Sequence, residues 1–159
     1  MSYRIGSGFD SHRFAAGRKL MLGGVEIPHD QGLQGHSDAD VLLHALTDAL
    51  LGAAGLGDIG SHFPDSDGKW KNAPSILFVQ DTMRMLAEKG CSIVNADLTI
   101  LAQLPKLQPH RAQITSAIAK MLGVSESCVN LKATTTDGMG FIGRNEGIAA
   151  YVVVLLEMQ

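Results

Sequence analysis

The sequence predicts an α+β fold, a single-domain sandwich in which one mixed β-sheet packs against helices on one face, with a small β-hairpin beside it. Stretches with helical apolar spacing are interspersed with β-branched, strand-like stretches. Glycine, with 18 of 159 residues, lies mostly in short clusters between them. No repeat, linker or low-complexity tract interrupts this pattern. We therefore expect one domain over residues 1–159.

The first elements are predicted to be extended. Residues 2–10 have the composition of a strand that runs into glycines and ends in "GFDSH". The stretch "KLMLGGVEI", residues 19–27, predicts a hairpin that turns on Gly23 and Gly24.

The clearest helix is predicted over residues 38–54, where apolar residues recur at helical spacing. Ser37 is its expected N-cap, and Asp40 three residues later resembles a capping box. Gly55 or Gly57 is expected to end it.

The rest of the chain predicts two more helices and three more strands. The helices are expected at about 75–89 and 109–122, ended by Gly90 and Gly123. "GDIGSHFPDSDG" and "DGMGFIGRNE" are expected to be loops. The strands are expected at 91–103, 128–136 and 147–158.

Composition excludes several classes of function. A net charge of -3 argues against nucleic-acid binding, which needs a basic face. No apolar run approaches the roughly 20 residues of a membrane helix. Strand-like sequence follows Met1 directly, so we expect no signal or transit peptide. Cys91 and Cys128 have neither metal-binding nor disulfide-scaffold spacing, and we expect a reducing, cytoplasmic location.

A metal site is predicted from three side chains. Asp10 and His12 share one face of a strand because strand side chains alternate. His44 lies on the polar stripe of the first helix with Asp40 and Asp48, and Asp48 is expected to accept its second N–H. One carboxylate and two imidazoles with an open position form the ligand set of a catalytic zinc. The alternative is an unremarkable D-x-H pair and a helix histidine bonded to a neighbour.

Three other segments carry groups suited to a phosphorylated ligand. His36 and Ser37 precede the first helix, whose N-terminus favours anions. "KATTTD" offers one lysine, three hydroxyls and a carboxylate, which suit a diphosphate with Mg²⁺. "AQLPKL", residues 102–107, exposes backbone that can read a planar base. The alternatives are a β-branched strand end and a simple helix cap.

Specific stretches resemble the 2-C-methyl-D-erythritol 2,4-cyclodiphosphate synthase family of the non-mevalonate isoprenoid pathway. They are "GFDSHRF", "LGGVEIP", "GHSDADVLLHALTDALLGAAGLGDIG", "HFPDSD", "LAQLPKLQPH" and "KATTTDGMGFIGRNEGIA". The resemblance covers essentially the whole chain.

The resemblance implies a lyase that cyclises 4-diphosphocytidyl-2-C-methyl-D-erythritol 2-phosphate and releases CMP. It implies Zn²⁺, or another divalent ion, on Asp10, His12 and His44, with Mg²⁺ or Mn²⁺ bridging the diphosphate. It also implies a homotrimer with active sites at subunit interfaces, and an isoprenoid diphosphate is a further candidate ligand for the trimer core.

The resemblance also implies site residues. His36 and Thr135 match the positions that hold the reacting phosphates, and we expect them to be the catalytic pair. The remaining expected substrate contacts are Asp10, His12, Ser37, Asp58, Gly60, Phe63, Pro64, Asp65, Ser66, Asp67, Ala102, Gln103, Leu104, Pro105, Lys106, Leu107, Lys132, Thr134, Thr136, Asp137, Phe141 and Arg144. Of these, residues 63–67 match a flexible loop of the family.

Two positions depart from the family pattern, and two other functions stay open. Ser7 replaces a frequent histidine, and Asp137 replaces a common glutamate, which makes Asp137 a shorter ligand for the second cation. The first alternative is a zinc-dependent phosphohydrolase that uses a metal-bound water. The second is a non-catalytic trimeric binder of isoprenoid diphosphates, suggested by Phe9, Phe141 and Arg144 near glycine turns.

Overall fold

The computed structural model describes residues 2–159. Three short 3₁₀ turns accompany its strands and helices, at Gly68–Trp70, Gln108–His110 and Glu126–Cys128. In chain order the other elements are β1 (Ser2–Ala16), β2 (Leu20–Leu22), β3 (Val25–Ile27), β4 (Gln31–Leu33), α1 (Val41–Ala54), α2 (Ile59–His62), α3 (Ile76–Glu88), β5 (Cys91–Leu101), α4 (Arg111–Leu122), β6 (Val129–Thr134), α5 (Gly140–Gly143) and β7 (Gly147–Met158).

Five strands form one mixed sheet in the order β4-β1-β7-β5-β6. β5 and β6 pair in parallel, and the other neighbours are antiparallel. β2 and β3 form the separate hairpin on Gly23 and Gly24, both with positive φ. The predicted α+β architecture is therefore confirmed, including the mixed sheet and the hairpin.

Helix α1 lies unusually close to strand β1. An added Cβ would lie 1.9 Å from the Ala45 carbonyl oxygen at Gly8, and 2.0 Å from the Ala49 carbonyl oxygen at Gly6. Only glycine allows this approach. The aliphatic side chains of α1 and of the facing strands form the main core.

The opposite face of the sheet, here called the open face, carries exposed apolar side chains. Tyr3, Ile5 and Phe9 of β1 are 61%, 73% and 58% exposed, and Tyr151 of β7 is 45% exposed. Phe9 and Tyr151 are register partners, as are Ile5 and Leu155, so the apolar residues are contiguous across two strands. Such a patch is typical of an interaction surface.

The predicted elements agree with the structure except at a few ends. α1 begins at Val41 and its N-cap is Asp40, not Ser37, because the Asp40 carboxylate accepts the Leu43 N–H. β1 runs to Ala16 rather than residue 10. Strand β4 was not predicted. The short helices α2 and α5 were not predicted either, and both lie in segments expected to be loops.

Within residues 2–159, no helix combines the length and the apolar composition needed to span a bilayer.

We expect Gly8→Ala to lower the free energy of unfolding by about 3 kcal/mol or more, because the new methyl group meets the α1 backbone. Gly52→Ala is the matched control: it lies in α1, nothing lies within 4 Å of its added Cβ, and it should stabilise by about 0.5–1 kcal/mol. Urea unfolding of both variants measures the difference. Equal stability of the two variants would contradict the packing described here.

Candidate active site

Asp10, His12 and His44 converge at one point between the sheet and α1. Asp10 and His12 alternate along β1 toward α1, and His44 faces them from the first turn of that helix. The Asp10 Oδ2 atom lies 2.8 Å from His12 Nε2 and 3.1 Å from His44 Nδ1. His12 Nε2 and His44 Nδ1 are themselves 3.1 Å apart.

These three atoms fit a bound divalent ion. Ligands held tetrahedrally around one zinc at about 2.0–2.1 Å lie roughly 3.3 Å from one another. The observed separations of 2.8, 3.1 and 3.1 Å are slightly shorter, so an ion needs only a small expansion of the group. All three side chains are partly buried, which limits competition from water.

The outer nitrogen of each histidine has its own partner. His12 Nδ1 donates to the Gln34 carbonyl oxygen at 2.6 Å, which leaves Nε2 free to face the ion. His44 Nε2 lies 2.9 Å from Ser75 Oγ and 3.0 Å from Ser37 Oγ. The expectation that Asp48 meets His44 is wrong, because the Asp48 carboxylate instead accepts the Ile59 N–H at 2.7 Å.

The two groups on β1 shift each other's proton affinity. Burial by itself would raise the pKa of Asp10, but hydrogen bonds and charge from His12 and His44 outweigh it and hold that pKa well below its usual range. Burial opposes protonation of His12, yet Asp10 raises the pKa of His12 above its ordinary value. The Asp10 carboxylate is therefore ionised at neutral pH, as a metal ligand must be.

A cavity of about 390 Å³ opens beside the three converging side chains. Its far wall is an aromatic cluster in which the rings of Phe63, Trp70 and Phe78 lie 4.8 to 5.3 Å apart. The predicted contacts that line this cavity are Asp10, His12, His36, Ser37, Gly60, Phe63, Pro64 and Asp65.

His36 and Ser37 occupy a loop rather than the helix N-terminus that the sequence suggested. The Asp40 carboxylate is fully buried and accepts the N–H groups of Gly23, Gly24 and Leu43. That carboxylate therefore already satisfies one of the first N–H groups of α1, that of Leu43.

Arg18 holds this loop from behind. Its guanidinium donates to the carbonyl oxygens of Gly35 at 2.8 Å and Ser37 at 2.5 Å. Sequence reasoning missed Arg18, Gln34 and Ser75 because their partners are distant in the chain, and no local spacing marks such contacts.

A second, smaller pocket of about 210 Å³ lies where β5 and β6 end. The carboxyl ends of parallel neighbours meet at one edge of a sheet, and the Ala102 N–H bonds the Thr134 carbonyl oxygen there at 3.0 Å. The predicted contacts that line this pocket are Ala102, Pro105, Lys106, Leu107, Thr134 and Thr135.

The two cavities are separated within one chain. Asp10 pairs with Ala150, Ala150 with Ile100, and Ile100 with Ala133. Asp10 and Ala133 therefore lie in one row across the sheet, three strand spacings or roughly 14 Å apart. Among residues 2–159, none lines both cavities.

The remaining predicted contacts line neither cavity. Lys132 pairs with Asp97 at 2.6 Å on the open face, and Asp58 caps α2 through Ser61. Arg144 pairs with Glu146 at 2.7 Å, and this pair raises the pKa of Arg144 and lowers that of Glu146. The others are Ser66, Asp67, Gln103, Leu104, Thr136, Asp137 and Phe141.

Several of these residues have local roles. Asp67 caps the 3₁₀ turn that carries Trp70, and its carbonyl oxygen lies 3.3 Å from His36 Nε2. The Thr136 hydroxyl donates to the Met139 carbonyl oxygen. Phe141 lines a third, open cavity of about 670 Å³ on the other side of His12.

The chain matches a known protein family along nearly its whole length. A family model described as the YgbB family matches residues 3–157. The chain belongs to the YgbB family.

Relatives of this YgbB-family chain share one name. It is 58% identical over 154 residues to 2-C-methyl-D-erythritol 2,4-cyclodiphosphate synthase of Desulfatibacillum aliphaticivorans, covering 97% of this chain and 99% of the relative. The resemblance found in the sequence is therefore confirmed. The alternative of a zinc-dependent phosphohydrolase gains no support from these relatives.

Solved structures agree with the fold. A structure titled 2C-methyl-D-erythritol-2,4-cyclodiphosphate synthase, bound form CDP, superposes with a TM-score of 0.89 at 40% identity, covering 97% of this chain and 100% of that chain. The bifunctional IspDF from Campylobacter jejuni superposes with a TM-score of 0.95 at 46% identity over 99% of this chain. This chain spans only 43% of that bifunctional protein.

We expect Arg18→Met to lower the free energy of unfolding by about 1–3 kcal/mol, because two loop carbonyl groups lose a charged donor. Lys19→Met is the matched control, since Lys19 forms only an exposed pair with Glu26 and should change stability by less than about 0.5 kcal/mol. Urea unfolding measures both, and amide hydrogen exchange at residues 35–37 should rise only in the first variant. Unchanged exchange there would refute the role given to Arg18.

Proposed function

We propose that this chain catalyses the cyclisation of 4-diphosphocytidyl-2-C-methyl-D-erythritol 2-phosphate to 2-C-methyl-D-erythritol 2,4-cyclodiphosphate, with release of CMP. The observation that carries the proposal is the convergence of Asp10, His12 and His44 at the wall of a 390 Å³ cavity, in a chain whose relatives bear that enzyme's name.

The reaction needs positioning more than proton transfer. An oxygen of the 2-phosphate attacks the β-phosphorus of the diphosphate, the new P–O bond closes the ring, and the bond from that phosphorus to the CMP oxygen breaks. A phosphate dianion is already a nucleophile, so no side chain has to remove a proton first. The protein supplies alignment and neutralisation of charge.

The groups around the cavity divide this work. Asp10, His12 and His44 would hold a divalent ion, proposed to be Zn²⁺, and His36 would contact a reacting phosphate from the opposite loop. Metal ions held there would polarise the diphosphate oxygens as Lewis acids. Thr135, with Asp137 two residues on, is the proposed partner for the diphosphate and its bridging Mg²⁺ or Mn²⁺.

The pocket at the ends of β5 and β6 is the proposed site for cytidine. Backbone groups of residues 102–107 and the Thr134 and Thr135 segment line or adjoin it. A relative at 40% identity has a structure titled as bound to CDP, which supports a cytidine diphosphate ligand here. The proposed cytidine contacts include Gln103 and Leu104, although neither lines the pocket.

We propose a homotrimer whose active sites form between subunits. Within one chain the metal cavity and the cytidine pocket lie roughly 14 Å apart along a sheet row, as the strand spacing gives. A neighbouring copy can bring its own cytidine pocket to the metal cavity. The open face, with its contiguous apolar residues on β1 and β7, is the surface we assign to contact between copies.

Two further proposals concern a ligand of the trimer and the location of the protein. An isoprenoid diphosphate in the trimer core would meet the apolar side chains of the open face and the guanidinium of Arg144. A cytoplasmic location is supported by the free thiols of Cys91 and Cys128, neither of which forms a disulfide.

We expect the chain, supplied with the cytidylyl substrate, Zn²⁺ and Mg²⁺, to release CMP and form the cyclic product, seen by ³¹P NMR. His44→Ala should lose both bound zinc and at least about 100-fold in turnover, because one of three ligands is gone. His110→Ala, on a 3₁₀ turn outside the metal cavity, should keep normal zinc content.

The same reaction run in H₂¹⁸O separates transfer from hydrolysis. The cyclic product should contain no solvent oxygen, because its own phosphate is the nucleophile. A linear product carrying ¹⁸O would overturn the proposal in favour of a hydrolase.

Ile5→Asp should convert the trimer to monomers, because it places a charge among the contiguous apolar side chains of the open face. Turnover should fall at least about 100-fold, while zinc binding by Asp10, His12 and His44 persists. Leu77→Asp is the control: Leu77 is 40% exposed but lies on α3, away from the open face. Sedimentation equilibrium and zinc analysis read out both variants, and a trimeric, active Ile5→Asp protein would exclude this interface.

A further inference from the structure

A buried polar cluster lies directly behind His44. Ser75, at the start of α3, is 0% exposed, and Ser37 is 3% exposed. Ser75 Oγ lies 2.9 Å from His44 Nε2 and also donates a short hydrogen bond to Asp38 Oδ1. No local spacing in the sequence marks this arrangement, since Asp38 and Ser75 are 37 residues apart.

Ser75 has one hydroxyl proton and a neutral His44 has one N–H, and these two protons set the direction of the hydrogen bonds. An ionised carboxylate only accepts, so the one hydroxyl proton of Ser75 is committed to Asp38. The contact between Ser75 Oγ and His44 Nε2 at 2.9 Å then requires Nε2 to be the donor. A neutral imidazole carries one N–H, so Nδ1 of His44 has a free lone pair. That lone pair faces the ion position, with Nδ1 lying 3.1 Å from Asp10 Oδ2 and 3.1 Å from His12 Nε2. Without an ion, the Asp10 carboxylate competes with Ser75 for the single ring proton of His44.

We propose that Asp38 and Ser75 are positioning residues, which together fix His44 as the Nε2–H tautomer with Nδ1 presented to the metal. The inference rests on the proposed metal site and deepens it. It assigns to Asp38 and Ser75 the task that a carboxylate hydrogen-bonded directly to a ligating histidine performs in many metal proteins.

The backbone holds this relay in place. The Asp38 N–H donates to the Ala73 carbonyl oxygen at 3.0 Å, which ties the loop before α1 to the segment before α3. Asp38 Oδ1 also accepts the Asp40 N–H at 3.1 Å, so the carboxylate cannot turn away without losing a second bond. The relay is therefore built from three chain segments that meet only in the folded protein.

Ser37 is a weaker, auxiliary partner. Its Oγ lies 3.0 Å from His44 Nε2 and 3.2 Å from Ser75 Oγ, and it accepts the Ala39 N–H at 3.2 Å. When the Asp38–Ser75 bond is removed, a serine hydroxyl is free to turn and donate to Nε2. That rearrangement moves the histidine proton to Nδ1, where it blocks the metal position.

The first measurement is the tautomer of His44 in the metal-free full-length chain, from ¹⁵N chemical shifts of its imidazole ring. The wild type should show the Nε2–H form. Ser75→Ala and Asp38→Ala should show a mixture that includes the Nδ1–H form, while Asp38→Asn, whose amide oxygen can still accept from Ser75, should retain the wild-type form.

The second measurement is Zn²⁺ affinity by competition with a chelator. Ser75→Ala and Asp38→Ala should each weaken binding by roughly 10- to 100-fold, the usual effect of losing a partner behind a ligating histidine. The matched control is Thr82→Val, which removes another fully buried hydroxyl of the same helix region, one with no hydrogen-bond partner among residues 2–159. It should leave both the tautomer and the affinity unchanged.

Two results would overturn the relay: an Nδ1–H tautomer in the wild type, or unchanged zinc affinity in folded Ser75→Ala and Asp38→Ala proteins. Circular dichroism establishes which variants fold, and the wild-type tautomer is informative even where a variant does not. Neither readout depends on turnover. A chain that shows the expected tautomers but does not cyclise its substrate would contradict the proposed function and leave the relay intact.

Discussion

The site depends on the close contact between α1 and β1. Gly6 and Gly8 lie where the backbone of α1 crosses β1. Because they have no side chain, the two backbones come closer together than any other residue would permit. Asp10 and His12 continue the same face of β1, and His44 directly precedes Ala45, whose carbonyl oxygen makes the contact with Gly8. A single packing constraint in the core thus sets the separation of the three candidate ligands.

Around that contact, buried polar groups replace water as partners for the loop before α1. Asp40 caps the helix and holds the hairpin turn, while Arg18 binds two carbonyl groups of the loop. Burial raises the pKa of Asp40, and the charge of Asp38 raises it further, against the hydrogen bonds that favour the ionised form. The N–H groups of Gly23, Gly24 and Leu43 are thus the compensation for a carboxylate placed in the core.

Local periodicity explains which features could be predicted from the sequence. The alternation of a strand places Asp10 beside His12, and helical spacing with glycine stops locates α1, α3 and α4 within a few residues. The partner of His44 could not be predicted in this way. Asp48 is one turn away along the helix, but its carboxylate is used by Ile59, and Ser75 enters from another element.

The row that joins Asp10 to Ala133 has a consequence for mixtures of damaged subunits. If each catalytic centre draws its metal half from one copy and its cytidine half from the next, a chain lacking one half and a chain lacking the other can assemble together. In such a mixed trimer, some subunit interfaces would combine an intact metal site from one copy with an intact cytidine pocket from the next. Two individually inert proteins would then restore turnover on mixing, a form of intersubunit complementation that a site within one chain cannot show.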